Sequence, residues 1–212
     1  MVSTGISSPR LSSHRRLLIT LAVLAALGLW FVVHNLPRYT QFSAQSYGEY
    51  WSRRYGLLLH IAGGLTALSA GIVQIWLGLT GRTRGVHRGL GRVYASGVLL
   101  GSAGAYYLAL TVDPKYGAYA AGLFTLATAW LITTSMAIIA IRRRSYEQHR
   151  EWMLRSYTVT FAFVTFRLLD PWLQRLHVAS ADDVDTIMAW ACWSVPLLLI
   201  EPVLQVRRMR AR

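Results

Sequence analysis

Apolar residues along this chain gather into six long runs, at 17–33, 57–79, 93–112, 118–141, 157–173 and 187–206, separated by short polar segments. A bilayer core about 30 Å thick is crossed by roughly 20 mainly apolar residues in helical conformation. Each run therefore predicts one transmembrane helix, and the fold class is all-α: an integral membrane protein of six transmembrane helices. The longest connection, 34–56, carries Tyr39, Tyr47, Tyr50, Trp51 and Tyr55, which suits an interfacial belt of amphipathic rings. The organisation that follows is a segment 1–16, a membrane domain 17–206 and a basic tail 207–212. The first run follows Arg15 and Arg16 and continues into Trp30, Phe31 and His34 with no small-x-small cleavage pattern. A retained span is expected there, not a cleaved signal.

Charge fixes an orientation for these spans. The 212 residues are 54% hydrophobic and 15% charged, with a formal net charge of +13. In a soluble protein that excess would suggest nucleic acid. Here its distribution gives a different answer. With the N-terminus in the cytoplasm, one side holds Arg10, Arg15, Arg16, Arg82, Arg84, Arg88, Arg92, Arg142, Arg143, Arg144, Arg150, Arg155, Arg207, Arg208, Arg210 and Arg212. On the other side, Arg38, Arg53, Arg54, Lys115 and Arg175 are balanced by Glu49, Asp113, Asp182, Asp183 and Asp185. This is the positive-inside pattern of short loops. It predicts the cell inner membrane, cytoplasmic termini, contact with anionic phospholipid at the cytoplasmic face and no nucleic-acid partner. Cys192 is the single cysteine and lies inside the last run, which excludes an intrachain disulfide framework and a Cys-x-x-Cys pair.

A weak repeat divides the spans further. His87-Arg88, followed by Arg92 and Tyr94, is matched by His149-Arg150, followed by Arg155 and Tyr157. Two hairpins of like orientation, 57–112 and 118–173, would then form a four-helix core with the first and last spans outside it. At helical spacing, His60, Gly64, Ala67, Gly71, Gln74 and Gly78 share one face of the second span, and Tyr94, Gly97, Gly101 and Gly104 share one face of the third. In the fifth, Ser156, Thr160, Phe163, Arg167 and Asp170 form a polar stripe, which should face the bundle interior.

Two candidate sites come from these stripes. The inner one holds His87 and His149 near the cytoplasmic interface. Two symmetry-related imidazoles suit axial ligation of haem b iron, with Arg88, Arg150 and Arg155 on the propionates, Tyr94 beside them and the span-three glycines admitting the macrocycle. Interfacial anchoring explains the same His-Arg pairs without a cofactor. The outer one holds His60, Arg167 and Asp170, with Gln74 on the His60 stripe, as a substrate or proton site. Arg167 and Asp170, three positions apart, are expected to pair. Glu201, between Pro196 and Pro202, is expected to snorkel or cap. The chain has no hydrolase triad, phosphate-binding glycine loop or His/Cys zinc cluster.

The segments HIAGGLTALSAGIVQIWLGL from His60, HRGLGRVY from His87 and HREWMLRSY from His149, with Trp130, Thr133, Thr134, Thr160, Thr165 and Arg167, resemble a family of predicted bacterial polytopic membrane proteins of unknown function. The resemblance implies a polytopic membrane domain and supplies no activity. A looser likeness holds to transmembrane haem-b electron carriers, which build four-helix cores with inward histidines; here only His60 is clearly inside a span. Three functions follow as expectations: a haem-b or quinone-interacting redox protein, a non-redox transporter or channel using His60, Arg167 and Asp170, and an accessory subunit that packs on a membrane-protein partner or on its own copies.

Overall fold

A computed structural model describes residues 9–81, 83–177 and 179–211. Arg82, Arg212 and the first eight positions of the predicted segment 1–16 lie outside the described residues. Among the described residues all regular structure is helical. In chain order the helices are α1 (Pro9–Asn35), α2 (Ala44–Tyr47), α3 (Arg54–Thr80), α4 (Arg84–Leu110), α5 (Gly117–Arg142), α6 (Tyr146–Thr160), α7 (Ala162–Arg175) and α8 (Ala181–Ala211). Short 3₁₀ turns at Pro37–Tyr39, Gly48–Arg53 and Pro114–Tyr116 complete the connections.

Five helices, α1, α3, α4, α5 and α8, are long and apolar enough to cross a membrane. The run at 157–173 is instead divided between α6 and α7, with the break at Phe161. The Phe161 and Thr165 amides still bond to the Tyr157 and Phe161 carbonyls at 3.0 and 3.1 Å, so the ladder carries across. His149 meets the α5 carbonyl of Ala137, Phe163 meets His60 on α3, and Arg155 meets Glu201 on α8. These contacts run the α6–α7 unit along the full length of its neighbours as the sixth crossing. The helices extend beyond the apolar runs because leaving the hydrocarbon does not end a helix; a change in backbone conformation does. At Gly81, φ of 64° turns the chain left-handed and its amide caps the Leu77 carbonyl at 3.1 Å, a conformation that glycine adopts freely.

The core is a ring of four: α3 on α4, α4 on α5, α5 on α6, and α6 back on α3. Outside it, α8 covers α5, α6 and α7, while α1 packs on α3 and α7. Glycine sets the α3–α4 contact. A Cβ on Gly63 would stand 2.2 Å from the Gly101 amide nitrogen, and one on Gly104 2.5 Å from that of His60. The two backbones touch, as small residues allow in lipid where no hydrophobic force draws helices together. The connection 34–56 is more than a belt: Tyr47 is buried, forming a satellite core with Leu57 and Leu108 against Tyr39, Tyr50 and Trp51.

Charged pairs hold α8 at the arginine-rich end. Arg155, buried on α6, donates to both carboxylate oxygens of Glu201 at 2.6 and 2.8 Å, and Arg208 donates to Glu151. Glu201 is thus an ion-pair partner, where snorkelling or capping was expected. Arg208, by its hydrogen bonds, holds the Glu151 carboxyl below the usual carboxylate range against the opposing effect of burial.

Candidate functional site

A cavity of about 490 Å³ opens at the end opposite the arginine-rich loops and descends between α3, α5 and α7. Its mouth carries Arg38, Tyr39, Glu49, Tyr50, Arg53 and Asp182. Below them Tyr119, Arg167 and Asp185 line the wall, followed by His60 and Phe163, and the floor is Gly64, Trp130 and Thr160. A volume of this size suits a small organic molecule.

Each polar side chain there is held differently. His60 Nδ1 lies 2.9 Å from the Gly101 carbonyl and so donates to it, leaving Nε2 as the free ring nitrogen; the ring packs edge-on against Phe163 at 5.3 Å. That bond is possible because the glycine face of α4 brings its carbonyl to α3. Arg167 forms no ion pair within 4.0 Å and no hydrogen bond among the described residues, and its Cζ stands 5.8 Å from the Phe166 ring centre. The expected Arg167–Asp170 pair is therefore absent. Asp170 is buried and accepts from Gln174 Nε2 at 3.0 and 3.1 Å. A residue four positions on, the next turn of the same helix face, offers it a donor without the entropy of ordering an arginine. Asp185 on α8 lies close enough for the two carboxyl groups to interact.

Beneath the floor a hydrogen-bonded network closes the bundle. Tyr94, buried at 1% exposure, places its hydroxyl 2.7 Å from Ser156 Oγ and 2.8 Å from Thr160 Oγ1. Thr134 reaches Ser156 at 2.6 Å, and the Trp130 indole donates to Thr160 at 2.8 Å. Tyr157 adds a bond to the Leu68 carbonyl at 3.2 Å. Side chains from α4, α5 and α6 thus satisfy one another where water is excluded. Tyr94 takes part in this closure.

The inner site does not take the shape the sequence suggested. His87 and His149 come within Coulombic reach of one another, so the fold does bring the paired loops together. His149 Nδ1 bonds to Ala137 at 2.9 Å, while His87 Nδ1 is buried without a partner. Gln74 belongs to this end, donating to the His87 carbonyl at 2.5 Å, and is separate from His60. Arg88 and Arg150 are exposed, and Arg155 is committed to Glu201. The glycine faces are filled by helix contact, and a Cβ on Gly71 would lie 2.1 Å from the Tyr157 ring.

The family model described as Predicted membrane protein (DUF2306) matches residues 57–204. The chain belongs to this family. The DUF2306 region takes in nearly all of α3 through most of α8, and with them His60, Trp130, Thr160, Arg167, Asp170 and Asp185. It leaves out α1 and the mouth residues Arg38, Tyr39, Glu49, Tyr50 and Arg53. Membership accords with a polytopic membrane domain and does not support the likeness to haem carriers. No curated protein and no solved structure matches the chain. Sequence reading missed Asp185, Tyr119 and Trp130 as cavity residues; Asp185 was counted with an outer loop, and only the docking of α8 on α7 turns it toward Asp170.

Proposed function

We propose that this DUF2306 protein is a multi-pass carrier of the inner membrane, with both termini in the cytoplasm, that receives a small molecule from the opposite side at the level of His60 and Arg167. The observation that carries the reading is an arginine that forms no ion pair within 4.0 Å among the described residues, on the wall of a cavity open at one end and closed beneath by the Tyr94 network. A charge at membrane depth is costly and is retained where it meets a substrate or ion. A site near mid-depth, open to one side and plugged on the other, is the resting geometry of alternating access. The orientation rests on the arginine bias, and the exposed Arg88, Arg92 and Arg150 suit anionic headgroups on the cytoplasmic leaflet.

Thiol accessibility tests both parts. In a Cys192→Ser background, a membrane-impermeant maleimide applied to spheroplasts should label Leu65→Cys in the cavity, and should label Arg88→Cys only after the cells are lysed. Labelling of Leu65→Cys only from the lysed side would overturn the orientation, and none at all the open cavity. In proteoliposomes, Arg167→Gln should abolish uptake while the protein elutes as a folded species; unchanged uptake would reject the assignment of Arg167.

A further inference from the structure

The polar groups of the cavity are layered along its depth, and the layering gives the ligand a shape. Arg167 and Thr160 both line it and stand seven positions apart along α6–α7, so about 10 Å of axis separates guanidinium from floor at the helical rise. The wall between them is apolar and aromatic, with Leu65, Leu126, Val164, Phe163 and Trp130. His60 is its polar interruption.

The guanidinium has room for one acceptor group. It forms no ion pair within 4.0 Å among the described residues; Asp170 is engaged by Gln174, and Asp185 lies within Coulombic reach of the guanidinium without pairing to it. An arginine left without a partner at this depth favours a ligand carboxylate, whose two oxygens match its fork of donors. Asp182 and Asp185 on the same wall would repel a second negative charge, which disfavours a phosphate dianion. One charge at one end and an apolar channel below describe an amphiphile.

We propose that the cavity binds a medium-chain monocarboxylate of roughly eight carbons, its headgroup on Arg167 and its chain directed past His60 to Trp130 and Thr160, the length following from the helical rise. This rests on the carrier reading for the location of its site. Gly64 supplies an independent handle. Its Cβ would meet nothing within 4 Å, and it lines the floor. Its amide lies 3.2 Å from the position of a Cβ on Gly101, which in turn would stand 2.9 Å from Trp130. A larger side chain at Gly64 therefore shortens the cavity from below without displacing protein.

The test measures binding of radiolabelled butanoate, octanoate and dodecanoate to the full chain in lipid nanodiscs, by equilibrium dialysis with empty nanodiscs subtracted. Affinity should rise about three- to fourfold per added methylene up to octanoate and level off beyond it. Arg167→Gln should weaken octanoate at least about tenfold, the loss of one charge-assisted pair, and leave octan-1-ol unchanged. Gly64→Leu should weaken octanoate about tenfold, as for about two methylenes displaced, and spare butanoate; this arm stands even if the Arg167 variant fails to fold. Absence of saturable octanoate binding, equal octanoate affinity in the folded Arg167→Gln protein, or tighter binding of octyl phosphate overturns the monocarboxylate. Saturable octan-1-ol binding lost in Gly64→Leu, without octanoate binding, rejects the carboxylate while the cavity stands. Failure of Leu65→Cys to react with maleimide rejects the cavity itself.

Discussion

Gly63 and Gly64 are neighbours in sequence with opposite surroundings. A Cβ on Gly63 would stand 2.2 Å from the Gly101 nitrogen, whereas one on Gly64 meets nothing within 4 Å. Gly63→Ala must push α3 and α4 apart and should cost about 1–3 kcal/mol, the range for overpacking. Gly64→Ala relieves the chain of glycine's freedom in a helix and should be neutral or stabilising by about 0.4–1 kcal/mol. Denaturation in mixed micelles checks both, and equal effects would contradict the α3–α4 contact. Tyr94→Phe removes one hydroxyl from a network in which Ser156 keeps Thr134 and Thr160 keeps Trp130. A loss of about 1–2 kcal/mol is expected from its two bonds, to Ser156 and Thr160, in the same assay. The helical periodicity placed Tyr94 on an inward face correctly but assigned it to a cofactor, because periodicity gives direction and not what is met there.

At the scale of the helix, α8 depends on its charged contacts with α6. Arg155 binds Glu201, and Arg208 binds Glu151. A double-mutant cycle of Arg155→Gln and Glu201→Gln should return a coupling of about 1 kcal/mol, modest because the Glu201 side chain is 40% exposed. Glu151 adds a pH dependence. Its carboxyl is held below its ordinary range by Arg208, so this stabilisation is present above the unfolded-state pKa and is lost as pH falls through the lower folded value. Stability followed across the acid range should fall less steeply in Glu151→Gln than in the parent, and parallel profiles would show that Glu151 is not the linked group. The apolar runs located these helices, yet the break at Phe161 was not visible in them. Phe161 is apolar like its neighbours, and its departure arises in the backbone.

For the whole molecule, the arginine bias predicts that a fluorescent protein fused after Arg212 fluoresces in the cytoplasm, while alkaline phosphatase at the same place is inactive; the reverse pair of results would invert the carrier. The cavity draws on several elements at once. Arg53, His60 and Gly64 come from α3 and its preceding turn, Trp130 from α5, Thr160 from α6, Arg167 from α7 and Asp185 from α8. Sequence by itself located the apolar helices and their inward faces, since hydrocarbon thickness and helical period act on each segment separately. It also marked His60 and Arg167, because polar groups within apolar runs stand out one at a time. Tertiary structure alone decided partners. Asp170 turned to Gln174 and Asp185, Arg155 to Glu201, and the glycine faces closed on each other where the sequence had left space for a cofactor. Those outcomes depend on which helices meet and at what distance, and close packing of backbones fixes that only when the whole bundle forms.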